Sequence, residues 1–344
     1  MQMEKNLAGK KDIMSFYKEE ILPILPSSIL DFHAHIWSSK NWNQVPWRGN
    51  KKGSKYMVTT PSYPPEKLLK DACECFPYRN YHAVCFGYPV PVTNWEKDTT
   101  FVAEAASNHK QFFPLVLGGK PLGISYDVYK EYFNRYKFYG FKVFLPWYGD
   151  NYGTIKVNEM IGNDEIRIAN ERKLVILLHV PGKRRLADKV VQRGVTWLAK
   201  SCSNAFIVLA HCGRCYLPQE MKDAINSIEN LSNVYMDASM VMDPVVFQMV
   251  IDAIGPARLF YATDFPVAAM KGKRVSIMDH WVDVVLPGNK RSAYRVCGAI
   301  RAVPMAWEII LGIKWAAYLC GISKKETQDI FWNNGMSLLL QVKR

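Results

Sequence analysis

Histidine is scarce in this chain, seven in 344 residues, and acidic groups are outnumbered by basic ones, 31 against 44. The glycine patterns that cradle phosphates, GxGxxG and GxxxxGK(S/T), are missing. There is a single CxxC, Cys212 to Cys215, with no second pair at zinc-finger spacing. Each absence removes a class. Without a glycine-rich loop, an open dinucleotide-binding sheet loses its phosphate site. A lone CxxC argues against a structural zinc held by four cysteines. The net charge of +13 comes with no arginine-rich arm and no nucleic-acid motif, so it reads as surface lysine and no nucleic-acid partner is expected. The first 20 residues are too charged for a secretory signal. The stretch VPMAWEIILGIKWAAYLCGI carries Glu308 and Lys314, which marks it as buried helix and not a membrane span. The expectation is a cytoplasmic protein with reduced thiols and no membrane partner.

What is present is a large apolar share, 49% of residues, enough for a substantial core. Eight short apolar runs read as strands: Ile29–His35, Tyr81–Phe86, Phe112–Val116, Gly140–Phe144, Leu174–His179, Ala205–His211, Val234–Ala238 and Leu259–Ala262. They are continuous and not alternating, the pattern of strands covered on both faces. Amphipathic stretches fall between them: Pro65–Phe76, Thr100–Asn108, Val128–Phe138, Asp164–Glu171, Arg185–Lys200, Pro218–Glu229 and Asp243–Ile254. This alternation predicts an α/β chain folded as a (β/α)8 TIM-type barrel, with an open doubly wound sheet as runner-up. A single domain is expected, its core about 29–344, preceded by an extension over 1–28. A long loop follows strand 1, from Trp37 to about Pro64, and extra helices follow Asp264. The last helical region opens with a capping box, Ser323 and Glu326.

The histidines fall where such a barrel does its chemistry. Strand 1 ends DFHAH, with His33 and His35; strand 5 ends at His179 and strand 6 at His211; TDFP, with Asp264, follows strand 8. Residues i and i+2 of a strand share a face, so His33 and His35 point the same way. Strand C-terminal ends converge on one mouth, which brings all five residues together. Imidazoles plus a carboxylate suit zinc, and also iron, manganese or nickel. A histidine in any one apolar run would read as a packed core residue; His82 and His109, away from strand ends, are of that kind.

On these residues the chain resembles the amidohydrolase superfamily, in its amidohydrolase-related branch, which includes aminocarboxymuconate-semialdehyde decarboxylase, γ-resorcylate decarboxylase and several hydrolases. The likeness runs from DFHAHIW to IFWNNGMSLL, where Asn334 matches a usual asparagine and Asn333 replaces a common glycine. The resemblance implies that His33, His35, His179 and Asp264 hold one divalent metal, most simply Zn2+, with Mn2+ or Fe2+ as alternatives. It implies a catalytic role for His211, beside the metal. Members with two metals carry a carboxylated lysine near the end of strand 4, which here is Lys142; in one-metal members that lysine forms no bridge. A homodimer is a further expectation by analogy.

The chemistry of the residue types agrees. A catalytic metal lowers the pKa of coordinated water toward ~7, Asp264 can accept a proton, and His211 can take or give one. Arg214 is the best candidate for a substrate anion; Arg184 and Arg185 are weaker ones, with an even balance toward a surface role. Trp37 and Arg48 could wall the pocket, although an aromatic taken singly is more often packing. Asp237 and Ser239 share a face on strand 7 and could support His211 or a ligand. A Cys–His nucleophile at Cys212 lacks an orienting partner. The leading function is a metal-dependent hydrolase of a small ester, lactone or amide, its substrate expected to carry a carboxylate. The alternatives are a nonoxidative decarboxylase of an aromatic or unsaturated acid, and a non-catalytic metal-binding or interaction barrel.

Overall fold

A computed structural model describes residues 13–43, 62–88, 91–285 and 303–344, with backbone alone over 149–151. Eight parallel strands follow one another in space as they do in sequence: β1 Ser28–His35, β2 Asn80–Phe86, β3 Phe112–Gly118, β4 Gly140–Val143, β5 Val175–Leu178, β6 Phe206–Leu209, β7 Val234–Asp237 and β8 Leu259–Phe260. The first and last are joined by backbone hydrogen bonds from Phe32 to Tyr261 (2.9 Å), from Asp264 to His33 (2.8 Å) and from His35 to Phe265 (3.0 Å). The barrel of the sequence reading is therefore the observed fold.

The strands form where apolar side chains can be covered twice. In β5, Val175, Ile176, Leu177 and Leu178 are all fully buried, lining the barrel on one face and meeting helices on the other. Each such side chain contributes about 1.5–3 kcal/mol by leaving water. The tight approach of β4 to β5 needs a glycine: a Cβ on Gly140 would lie 1.9 Å from the Val175 carbonyl oxygen.

The longer helices among the described residues are α1 Pro65–Cys75, α2 Trp95–Asn108, α3 Tyr126–Tyr136, α4 Asn163–Arg172, α5 Lys189–Ser201, α6 Pro218–Ala224, α7 Pro244–Ile254, α8 Met305–Cys320, α9 Lys324–Phe331 and α10 Asn333–Leu339. Side-chain caps explain where several begin. Asn94 accepts from the Lys97 amide, so α2 starts five residues earlier than the sequence reading had it. Asp188 accepts from the Val190 amide, which splits the expected Arg185–Lys200 helix into a short 3-10 turn and α5. Ser323 and Glu326 form the capping box of α9. The amide of Asn334 donates to the Pro256 and Leu259 carbonyls and ties α10 to β8. Tyr17, Ile21 and Leu25, ahead of β1, are buried, and Tyr17 packs on Trp307 of α8 at 5.0 Å.

Trp37–Ser38 pairs antiparallel with Ser62–Tyr63 within the expected long loop, and a longer hairpin was not foreseen either. After β8 the chain makes an antiparallel hairpin, β9 Gly272–Ile277 with β10 His280–Val285. Arg274 anchors it: its guanidinium forms two bonds to Asp283 (2.8 and 2.9 Å) and lies over the rings of Trp281 (4.0 Å) and Tyr216 (4.3 Å). No helix among the described residues is long and apolar enough to cross a membrane.

Candidate metal centre

β1 carries one extra residue relative to β2, a bulge between Asp31 and Ala34. Bulges re-aim side chains. Here the bulge sits at His33, and His33 and His35 both reach Asp264: His33 Nε2 lies 3.4 Å and His35 Nε2 3.2 Å from Asp264 Oδ1. Both imidazoles are fully buried, and the Asp264 side chain is 16% exposed.

The opposite ring nitrogens are already spoken for. His33 Nδ1 donates to Asp237 Oδ2 at 2.8 Å, and His35 Nδ1 donates to the Gly87 carbonyl at 3.1 Å. In the tautomer that carries its proton on Nδ1, each ring turns an Nε2 lone pair toward the carboxylate. Two lone pairs and a carboxylate oxygen meeting at this range are all acceptors, and they need a cation among them. Lys142 Nζ, 3.2 Å from His33 Nε2, offers one. His35 Nε2 is buried and has no hydrogen-bond partner. A divalent metal bound by nitrogen and oxygen fits this donor set. A second group, His33, His211 and Asp237, is also compact. Its two Nδ1 atoms and the Asp237 carboxylate, however, are already bonded, to each other and to Ser239.

Asp237 is the organiser of this face. Its Oδ1 accepts from the backbone amides of His211 (2.8 Å) and Ser239 (3.0 Å) and from the Ser239 hydroxyl, while Oδ2 holds His33. Burial alone would raise its pKa, but His33, His211 and the Ser239 hydroxyl hold it well below the usual carboxylate range. Asp264 shows the same balance: burial raises it, and His35, His33 and His211 pull it down to about 2. Burial lowers the imidazole of His211 to about 3, against the pull of Asp264. His211 is therefore neutral at physiological pH.

The sequence reading placed His211 at the end of strand 6. The strand stops at Leu209, and His211 opens a turn of four left-handed residues, with φ of 56° at His211, 49° at Cys212, 67° at Gly213 and 61° at Arg214. Such backbone is costly for side-chain-bearing residues and survives only when its surroundings dictate it. Asp237, bonded to the His211 amide, is the main restraint. The His211 ring is held by Ser239, with Nδ1 2.8 Å from Oγ and 3.1 Å from the carbonyl. Ser239, and not Asp237, is thus the direct partner of this ring.

His179 follows β5 and stacks on Phe144 at 4.8 Å, with His211 5.0 Å away. Burial and then Arg214 push its pKa well down, and its Nδ1 has no hydrogen-bond partner. It belongs to neither compact ligand group. Lys142 is fully buried between the rings of Phe86 (4.9 Å) and Phe144 (5.3 Å). Burial lowers its pKa to about 8, with Asp237 and Asp264 opposing.

Arg214 lies at the same mouth. It donates to the Val180 carbonyl at 3.0 Å and faces the Tyr152 ring, its Nε is buried without a partner, and among the described residues no carboxylate pairs with it. Arg184 and Arg185 are placed otherwise: they pair with Asp223 and Glu220. Trp37 is fully buried against Tyr63 and Tyr88, a packing residue, and Arg48 lies outside the described residues. Cys212 and Cys215 are buried free thiols; Cys212 donates to the Asp237 carbonyl at 3.4 Å.

Sequence reasoning missed Asp31, Thr263 and Tyr216. Asp31 was hidden by the bulge: two residues before His33 it would share that face in a regular strand, but it pairs with Ala83 while His35 pairs with Phe86, so it faces the opposite way. Tyr216 stands 6.1 Å from the His211 ring under Arg274, and nothing local in the sequence signals that.

Solved structures share this fold. An amidohydrolase from Burkholderia multivorans with bound zinc aligns with a TM-score of 0.57 at 15% identity, over 91% of this chain and 99% of its own. A 2,6-dihydroxybenzoate decarboxylase from Rhizobium aligns at 0.53 and 12%, over 92% and 99%. A probable 2-pyrone-4,6-dicarboxylic acid hydrolase from Acinetobacter baumannii aligns at 0.55 and 12%, over 90% and 98%. No curated protein sequence matches this chain significantly. The model of the amidohydrolase family Amidohydro_2 matches residues 30–276, well over half of the chain and all of the centre described above. The chain belongs to that amidohydrolase family.

Proposed function

We propose that the protein is a zinc-dependent hydrolase of a small ester, lactone or amide that bears a carboxylate. The observation that carries this reading is the meeting of His33 Nε2, His35 Nε2 and Asp264 Oδ1, three acceptors in a buried mouth. His33, His35 and Asp264 would hold the metal, and His179 is the remaining imidazole able to join them. When bound, the metal supplies Lewis acidity toward water and toward the substrate carbonyl.

The chain's own residues do the rest. Asp237 and the Gly87 carbonyl fix the tautomers of His33 and His35. Asp264, held ionised, accepts a proton. His211 is neutral, its Nδ1–H is taken by Ser239, and its other nitrogen is left to accept a proton and pass it to a leaving group. Arg214, a half-buried guanidinium without a carboxylate partner among the described residues, grips the substrate carboxylate. The turn at 211–214 presents both groups from one short segment.

A second reading is favoured by the aromatic lining. Phe86, Phe144 and Tyr88 surround His35 at 4.6, 6.1 and 6.2 Å, which suits a planar acid, and the Rhizobium neighbour is a decarboxylase. Turnover of lactone, ester, amide and aromatic-acid panels by zinc-loaded protein in 18O-water separates the readings. Incorporation of one solvent oxygen into product supports hydrolysis; carbon dioxide release without it supports decarboxylation. Tight zinc binding with no turnover on any panel would favour a non-catalytic barrel.

A further inference from the structure

Asp264 has a φ of 68°, in the left-handed region that an aspartate occupies only under restraint. The restraint lies on the other face of β1 from the two histidines, where the Tyr81 ring that bonds Asp31 stacks on Phe76 at the end of α1. Thr263 and Asp31 are both fully buried there. The Thr263 amide donates to Asp31 Oδ1 at 2.9 Å, and the Thr263 hydroxyl donates to Asp31 Oδ2. The same hydroxyl accepts from the Phe265 amide at 3.0 Å. The peptide that follows Asp264 is therefore tied to one threonine, and that threonine to one carboxylate, while the peptide that precedes Asp264 donates to the His33 carbonyl at 2.8 Å. Asp31 is itself fixed by the His33 amide (3.1 Å) and the Tyr81 hydroxyl (2.7 Å). Neither Asp31 nor Thr263 has a bond to the side chain of Asp264, His33 or His35.

We propose that Asp31, acting through Thr263, is the positioning residue that holds Asp264 left-handed with its carboxylate turned onto His33 and His35. The clamp joins the strand that carries the two histidines to the segment that carries the carboxylate. It sets the spacing of the three groups before any ion arrives. This inference rests on the metal reading above, and its test keeps the two apart.

The comparison is between two variants that each delete one buried hydrogen bond to Asp31. Thr263→Val removes the hydroxyl that links the Phe265 amide, in the peptide after Asp264, to Asp31. Tyr81→Phe removes a donor to the same carboxylate oxygen and leaves that peptide alone. Both lower the melting temperature of the metal-free protein. Zinc affinity, measured by competition with a chromogenic chelator, falls about 10–100-fold in Thr263→Val, the usual scale for a residue that orients a ligand, and stays near wild type in Tyr81→Phe. Thr263→Ser, which keeps the hydroxyl, retains the affinity. If Thr263→Val does not fold, Asp31→Asn carries the same expectation, because its amide cannot accept from both Thr263 donors. Equal zinc affinities in Thr263→Val and Tyr81→Phe would overturn the clamp. So would a crystal structure of metal-free Thr263→Val in which Asp264 keeps its left-handed backbone and its place on His33 and His35. That crystal decides the clamp even if wild-type protein takes up no zinc, a result that would defeat the metal reading alone.

Discussion

The two sides of the barrel are built differently. On one side β4, β5 and β6 pair in unbroken register, Gly140 with Val175 through Val143 with Leu178, then Val175 with Phe206 through Leu178 with Leu209. Apart from Lys142 every side chain there is apolar and buried. On the other side, where β1 meets β8, one strand is bulged and the other is two residues long. That seam is completed by polar side chains: Asp31 with Thr263 and Tyr81, and Asp264 with His33 and His35. The apolar wall is held by area removed from water, which tolerates small displacements. The seam is held by directional bonds, which fix atoms to tenths of an ångström and so can hold a metal centre.

Mutations on the two sides therefore have different consequences. The largest effect belongs to the seam: His33→Ala or Asp264→Ala removes most bound zinc by elemental analysis while the far-ultraviolet spectrum stays that of a folded barrel. Stoichiometric zinc in both variants would show the seam is not the centre. Next comes His211→Asn, which keeps zinc and loses about 10²–10⁴ in kcat once a substrate is in hand, the scale of a general acid–base group. Loss of the metal would make His211 a ligand, and near-full kcat would leave it no chemical role.

On the wall, Ile176→Ala removes a fully buried side chain and costs about 2–5 kcal/mol in denaturant unfolding, with zinc content unchanged. A matching loss of zinc would mean that the two sides are not separable. The smallest effect is a slope. Burial lowers the folded-state pKa of His35, His179 and His211 below 6.5, so below that pH the unfolded chain takes up protons that the metal-free folded barrel refuses. Its melting temperature should fall on acidification from pH 6.5, with His211's share ending near pH 3, and His211→Asn should fall less steeply. A flat profile for wild type would contradict the assigned burial.

The same contrast explains what could be read without coordinates. Continuous apolar runs marked β4, β5 and β6, because burial on two faces writes itself into consecutive residues. DFHAH announced a shared face for His33 and His35, since the period of a strand is two. The partners of the seam are written nowhere locally. Asp31 and Thr263 are joined only by closure of the barrel. The left-handed turn at 211–214 looked like the tail of a strand, because the Asp237 carboxylate that imposes it comes from the next strand. The hairpin of Gly272–Val285 was hidden for a similar reason: Arg274, Trp281 and Tyr216 are brought together only by the fold.

Anomalous diffraction at the zinc edge, on crystals of zinc-loaded protein, tests the central claim most directly. The account predicts one strong peak at the β1–β8 seam, within bonding distance of His33, His35 and Asp264. A peak at the His211–Asp237 pair or on the protein surface, with the seam empty, would contradict it.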